Sequence, residues 1–163
     1  MTLLLHLCEW LAGTAIGTGI RESDNLFSVI ETIHVLGITI TAGTITIVDM
    51  RILGFVFTRY AVADVMRPLV TITWLGFLVM LTTGVLLFWS EADKLYFNTA
   101  FRLKLSLLLL AGLNQWMFQR TYAGRLANWN ESFIPPARAR FAAWLSLGMW
   151  AWIIVLGRAI AYM

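Results

Sequence analysis

Long apolar runs separated by short charged segments dominate the pattern of hydrophobic and polar positions along this chain. A helix needs about 20 mainly apolar residues to cross roughly 30 Å of hydrocarbon. Four runs approach or reach that length, with bounds at about 26–50, 69–89, 97–118 and 141–162. The pattern therefore predicts an all-α integral membrane protein that is built as a four-helix bundle.

A shorter apolar stretch, from about Leu3 to Ile16, precedes the first of these runs. It is too short to span a bilayer and lacks the basic flank of a signal peptide, so we expect an interfacial helix. The following segment, Gly17 to Asn25, combines glycines with charged side chains, which is typical of a surface turn. Because no long linker interrupts the chain, we expect a single transmembrane domain over residues 1–163.

Composition supports the membrane interpretation. Hydrophobic residues make up 60% of the chain and charged residues 13%, whereas about a quarter of a soluble domain is charged. The net charge of +3 could suggest nucleic acid, but the basic residues lie between the apolar runs rather than in one stripe, which argues against such a partner. Cys8 is the only cysteine, so no intramolecular disulfide can form.

The distribution of basic residues predicts the orientation of the spans. Short cytoplasmic loops are enriched in Lys and Arg, and arginines are concentrated after the first and third runs. The loop after the second run carries both acidic and basic residues. We therefore expect both termini on the non-cytoplasmic side, here called the outer side. The arginines of the two basic loops are Arg51, Arg59, Arg67, Arg120, Arg125, Arg138 and Arg140.

Ionisable residues within the apolar runs mark the candidate functional site, because charge in hydrocarbon is costly. At a rise of about 1.5 Å per residue, Glu31 and His34 lie about 8 and 12 Å into the first run. Lys104 lies about 10 Å into the third run by the same measure. Arg158 lies about one turn before the end of the fourth run. All four residues lie near the outer end of their predicted span, so the sequence predicts that they share one layer.

Glu31 and His34 are spaced so that they project from nearly one helix face, as in di-iron four-helix proteins. His6 and Glu9 repeat this spacing in the N-terminal stretch and would lie over the outer ends of the spans. Imidazole with carboxylate suits a transition metal ion such as zinc, copper, iron or nickel. These four residues are therefore candidate metal ligands, and Glu91 is the one further acid near this depth.

His34, close to Gly37, is also a candidate axial ligand of a b-type haem. Met80, about 14 Å from the outer end of the second run, is a candidate second ligand at a similar depth. Lys104 and Arg158 would then balance charge or hold a propionate. Glycines in every run permit close helix approach or leave room for a flat cofactor. Two copies of His34 in a homo-oligomer could also share one haem.

Two other interpretations of the same residues stay open. An ion-pair network, with Glu31 matched by Arg158 or Lys104 and His34 beside them, would only lock the bundle of a structural or assembly subunit. Alternatively, the residues could relay protons or bind an anion in a small transporter. No predicted span contains a proline, and no paired broken segments mark a transporter site.

A second polar layer lies toward the cytoplasmic side and holds Asp49, Arg51, Asn114 and Gln119. Asp49 and Arg51 are two positions apart, so they face different directions. We expect Asp49 to pair with a basic residue of another helix or with Asn114. This layer is predicted to be structural.

Several ordered motifs carry a family resemblance. They are E-T-I-H-V-L-G at 31–37, D-M-R-I-L-G at 49–54, L-K-L-S-L at 103–107, A-G-L-N at 111–114 and G-R-A-I-A-Y at 157–162. With these motifs, nearly the whole chain resembles a family of prokaryotic four-span membrane proteins of uncharacterised function. The resemblance implies an architecture and a set of shared positions, without an activity. For such a protein we expect the prokaryotic inner membrane.

The chain departs from that family at one position. Span three of the family often ends in Phe-His, where this chain has Phe118-Gln119, so His34 is the only histidine within a predicted span. A looser similarity to copper-resistance and cytochrome b561-like membrane proteins favours redox or metal chemistry over transport. We therefore predict a non-enzymatic metal- or haem-binding bundle, with a redox partner that the sequence does not identify.

Overall fold

Helices account for all the regular structure in the described part of the chain. The computed structural model describes residues 2–23, 25–122 and 135–162. The all-α prediction is confirmed. The elements are α1 (Thr2–Ala12), α2 (Ala15–Arg21), α3 (Leu26–Leu53), α4 (Val62–Ser90), α5 (Ala92–Phe97), α6 (Thr99–Tyr122), α7 (Ala137–Ala159) and a 3₁₀ turn (Ile160–Tyr162).

Three of these helices, α3, α4 and α7, are long and apolar enough to cross a membrane. The fourth long helix, α6, has 24 residues but carries Arg102, Lys104 and several amides, so it is less apolar than the others. The pair α1 and α2, bent by 62°, has the length and composition of one broken span. The fold is thus compatible with an integral membrane protein, and the four-helix bundle holds only approximately.

The second long helix starts earlier than its apolar run predicts. α4 begins at Val62 rather than near residue 69, and it includes Pro68. This corrects the expectation that the spans contain no proline. A proline removes the backbone hydrogen bond to the residue four positions earlier, here Asp64. Because Pro68 lies in the second turn, close to the helix start, the loss is confined to one end of α4.

The N-terminal stretch folds as two helices rather than as one interfacial helix followed by a turn. The Thr14 hydroxyl caps α2, which continues to Arg21 through the segment predicted as a turn. The same hydroxyl accepts from Trp89 Nε1 at 2.9 Å. Arg21 donates to the Ser90 carbonyl at 3.0 Å, one of the carbonyls that a helix end leaves without an internal partner. α1 and α2 therefore close the C-terminal end of α4.

Three sides of the four-helix arrangement are closely packed. α3 packs extensively on α4, α6 packs on α7, and α3 also contacts α7. On the fourth side, α4 and α6 meet through the stacked rings of Phe88 and Phe101, whose centroids are 5.5 Å apart. Elsewhere in the described ranges the backbones of these two helices make no extensive contact. We call this side the α4–α6 seam.

Buried apolar side chains form two clusters that each draw on all four long helices. One lies near the loop between α3 and α4 and includes Ile52, Val62, Phe118 and Ala139. The other lies in the middle of the bundle and includes Met80, Ala111, Trp150 and Ile153. The candidate residues of the first polar layer lie beyond the middle cluster, toward the start of α3.

Gly37 and Gly76 let α3 and α4 approach each other closely. A Cβ at Gly37 would lie 2.9 Å from the Met80 backbone nitrogen, and one at Gly76 would lie 2.7 Å from Ile40 Cγ2. Small residues are a usual means of helix association in hydrocarbon, where apolar side chains gain little by leaving lipid. This contact sets the position of α3 relative to α4.

Gly37→Ala should weaken the contact between α3 and α4, because the new Cβ would press on the Met80 backbone. We expect a loss of roughly 1–3 kcal/mol in unfolding free energy, the usual cost of overpacking, seen as a lower thermal midpoint in detergent. Gly43→Ala is the control on the same helix, since a Cβ there meets nothing within 4 Å. Equal destabilisation by both substitutions would contradict the importance of this contact.

Candidate functional site

The His34 imidazole is half-buried between α3 and α4. Its Nδ1 lies 2.9 Å from the Met80 carbonyl oxygen and 3.0 Å from Thr83 Oγ1. Gly84 leaves room for the ring, because a Cβ at that position would lie 3.0 Å from His34 Cε1. The ring is therefore held against α4 by two polar contacts and by the absence of a side chain.

These hydrogen bonds determine which imidazole nitrogen carries the proton. A carbonyl oxygen only accepts, so Nδ1 donates to Met80. The Thr83 hydroxyl donates to the Val79 carbonyl at 2.6 Å, so its oxygen also accepts from Nδ1. In the neutral ring, Nε2 therefore keeps its lone pair. Metal-ligating histidines are oriented in this way, with the second nitrogen donating to a backbone carbonyl.

Lys104 of α6 is the cationic neighbour of His34, close enough for their charges to interact. Its ammonium nitrogen lies next to α7, 3.4 Å from the position that a Cβ at Gly157 would occupy. Lys104 is half-buried and makes no hydrogen bond or ion pair with a described residue. Together, His34, Gly84, Lys104 and Gly157 come from four helices, and we call them the His34 layer.

Glu31 and Arg158 lie apart from this layer. Glu31 is exposed and makes no hydrogen bond or ion pair with a described residue. Arg158 is also exposed, and its Nη2 donates to the Tyr162 hydroxyl at 2.6 Å, with the guanidinium 5.0 Å from the ring centroid. The predicted ion pairs of Glu31 with Arg158 or Lys104 are therefore not formed within the described ranges.

The four metal ligands predicted from sequence are not assembled into one site. His6 and Glu9 are exposed on α1, and Glu91 forms an ion pair with Lys94 at 2.8 Å. Nowhere in residues 2–23, 25–122 and 135–162 do three His, Cys, Asp or Glu side chains come together as metal ligands. Because metal ions in proteins usually need three or four protein ligands, the geometry does not favour a bare ion.

Met80 contributes its backbone to the His34 layer. Its carbonyl accepts from His34, whereas the residue as a whole is 5% exposed and packs in the middle core cluster. Thr83, Gly84 and Gly157 were not singled out from the sequence as neighbours of His34. Glycines occur in every apolar run, and only the rotation of each helix shows which of them face the histidine.

In the second polar layer, the neighbours of Asp49 differ from the prediction. The side chain of Ser146 on α7 hydrogen-bonds to Asp49. The Asn114 amide donates instead to the Ala142 carbonyl at 3.1 Å. No basic residue within the described ranges forms an ion pair with Asp49. The sequence offered no signal for Ser146, because a lone serine in an apolar run has no distinctive spacing.

Arg51 closes the loop between α3 and α4. The residue is 3% exposed, and its guanidinium donates to the Tyr60 carbonyl through Nε at 2.8 Å and Nη2 at 2.6 Å. Gly54 ends α3 with φ at 83°, a left-handed conformation that glycine adopts readily. Arg51 is thus held by the loop. Gln119, the remaining residue of the second polar layer, is half-buried on α6.

The chain belongs to a family of unknown function, DUF6644, whose model matches residues 8–163. The expected membership of an uncharacterised family is confirmed at this level. No curated protein and no solved structure matches the chain. Family membership therefore assigns no activity, and the chemistry of the His34 layer is the basis for a functional proposal.

The imidazole nitrogen shifts of the ligand-free protein should show the tautomer of His34 directly by ¹⁵N NMR. We expect a protonated Nδ1 and an unprotonated Nε2 in the neutral ring. Thr83→Val should keep this tautomer, because the Met80 carbonyl still accepts. The chain has two histidines, so a His6→Gln variant assigns the signals. A neutral His34 with its proton on Nε2 would contradict the hydrogen-bond assignment.

Proposed function

We propose that this member of the family is a membrane-embedded b-type haem protein in which His34 is an axial ligand of the iron. The observation that carries the proposal is the pair of contacts from Nδ1 to Met80 and Thr83, which leaves the Nε2 lone pair unused. One histidine suffices for haem, because the porphyrin itself supplies four nitrogen ligands. A bare transition metal ion would need ligands that the described residues do not bring together.

Lys104 supplies a positive charge beside the proposed ligand. Haem carries two propionate groups, and a charge-assisted hydrogen bond from an ammonium group to a carboxylate is among the stronger polar contacts. An unpaired ammonium group at membrane depth is unfavourable. Since Lys104 has no partner among the described residues, a propionate would remove that cost. Arg158, which already donates a hydrogen bond to Tyr162, is the second candidate for this role.

The α4–α6 seam is the proposed route by which a flat apolar group reaches His34. Phe88 and Phe101, which stack across the seam, lie one turn from Gly84 and Lys104, respectively. Large apolar side chains are exposed around the bundle, for example Leu109 at 77% and Trp152 at 61%. We propose lipid as the surrounding medium, and an apolar porphyrin ring would partition into the same medium.

The proposed chemistry is electron transfer without a substrate. When bound, the haem would supply the one-electron couple, and His34 and Lys104 would hold and orient it. The Met80 side chain is committed to the core, so a second axial ligand would have to come from elsewhere. A His34 from another copy in a homo-oligomer is one source, and a low-spin spectrum with two histidine ligands would reveal it.

A structural role is the second candidate function, because the hydrogen bonds of His34 also tie α3 to α4. In that case the layer would stabilise an assembly subunit without binding haem. Loss of fold or oligomer in a His34 variant, with no haem in the wild type, would favour this role. We rank it second because a helix tie does not account for the half-buried Lys104, which has no hydrogen-bond or ion-pair partner among the described residues.

The first test is the absorption spectrum of purified protein from haem-supplemented cells. Wild type should show a Soret band with stoichiometric haem, and His34→Ala should lose it while the elution volume and helical content are retained. His6→Ala is the control, because that histidine lies on α1 outside the His34 layer. A Soret band unchanged by His34→Ala, or its absence from wild type, would contradict the proposal.

The second test addresses the charge beside His34. Lys104→Met keeps the length of the side chain and removes its charge, so haem affinity should fall about tenfold, the equivalent of roughly 1.5 kcal/mol for one hydrogen bond to a charged group. Haem titration of the ligand-free protein measures this change. Lys94→Met is the matched control, since Lys94 of α5 pairs with Glu91, the residue before that helix. An equal effect of both variants would exclude a specific role for Lys104.

A further inference from the structure

A small cavity lies beside Asp49, toward the opposite end of α3 from His34. Its volume is about 20 Å³, roughly enough for one particle the size of water. Val48, Met66 and Phe118 are among the apolar side chains around it. Its polar lining residues come from α3, α6 and α7 and are Asp49, Asn114, Gln115 and Ser146.

The polar lining is rich in acceptors. Asp49 is 7% exposed, and its Oδ2 has no hydrogen-bond partner among the described residues. Ser146 already bonds to the carboxyl group, and the Asn114 amide donates to the Ala142 carbonyl at 3.1 Å. Neither residue donates to Oδ2. A carboxylate oxygen buried in this way is unfavourable unless another group satisfies it.

No Lys or Arg of the described ranges lines the cavity. Arg51, the nearest cationic residue along α3, gives its hydrogen bonds to the Tyr60 carbonyl. Across the cavity, α6 contributes two amides and α7 a hydroxyl, and no Lys or Arg of the described ranges forms an ion pair with Asp49. The site therefore presents one carboxyl group and several other oxygen atoms to a space of limited size.

We propose that this cavity binds a single monovalent metal cation, Na⁺, with Asp49 Oδ2 as the charged ligand and side-chain oxygens of Asn114 and Ser146 beside it. Oxygen ligands suit hard cations, whereas transition metals prefer nitrogen and sulfur. One carboxylate balances one positive charge, which favours a monovalent ion over Ca²⁺ or Mg²⁺. A bound ion would connect α3, α6 and α7, and it would do so independently of haem at the other end of α3.

Thermal unfolding in detergent tests this site, with NaCl and choline chloride compared at equal ionic strength, pH and haem content. Wild type should gain roughly 2–5 °C at saturating Na⁺, because a ligand that binds only the folded state stabilises it. Asp49→Asn keeps the shape of the side chain without its charge and should abolish the Na⁺ response. Asp64→Asn is the matched control, since Asp64 is an exposed acid in the first turn of α4, and it should respond as wild type does.

Binding of ²²Na⁺ to the wild-type protein provides a test that needs no variant. Saturable binding of one ion per chain, retained when haem is removed, supports the site. A response to pH but not to Na⁺, lost in Asp49→Asn, would show a protonated carboxyl group and overturn the proposal. No response to either would indicate a buried water, and tighter binding of Ca²⁺ would exclude a monovalent site. Each of these results leaves the haem proposal to be judged by its own spectra.

Discussion

The close approach of α3 and α4 at Gly37 and Gly76 is the contact on which the rest of the arrangement depends. Met80 takes part in it twice, because its backbone nitrogen lies 2.9 Å from the position of a Cβ at Gly37 and its carbonyl accepts from His34. If the helices were farther apart, the imidazole would lose this acceptor and its proton would no longer be confined to Nδ1. A packing contact between two glycines thus determines which nitrogen of a histidine one turn away is available for chemistry.

The sequence predicted how far along its helix each candidate residue lies, but not the direction in which its side chain faces. The positions of His34 and Lys104 along their helices follow from counting residues, and these two side chains do lie near each other. Glu31 shares the depth of His34 but is exposed, because a spacing of three residues turns a helix by about 300° and not by a full turn. Whether that difference moves a side chain out of the interior depends on where the partner helix lies, which one sequence does not specify.

Tertiary contacts explain the parts of the fold that the apolar runs did not predict. α2 continues to Arg21 because Thr14 caps it and is itself anchored by Trp89, a residue far away in sequence. α6 reaches the length of a span, yet its charges and amides are tolerated where they contact α7, as the bond from Asn114 to Ala142 shows. The start of α4 at Val62 depends in part on the first core cluster, in which that residue is fully buried. In each case the deciding partner belongs to another helix.

Two ionisable side chains, Lys104 beside the start of α3 and Asp49 near its end, have no ion-pair partner within the described ranges. Lys104 lies beside His34, and Asp49 lies 15 residues further along the same helix as His34, or about 22 Å at the helical rise, so the two charges are too far apart to neutralise each other. Either charge would be poorly solvated in hydrocarbon, and no side chain of the described ranges forms an ion pair with Lys104 or Asp49. We propose that bound groups supply the balance, an anion beside Lys104 and a cation beside Asp49. A haem propionate meets the first requirement and Na⁺ the second, so both proposals follow from one constraint, the cost of an isolated charge in a low-dielectric medium.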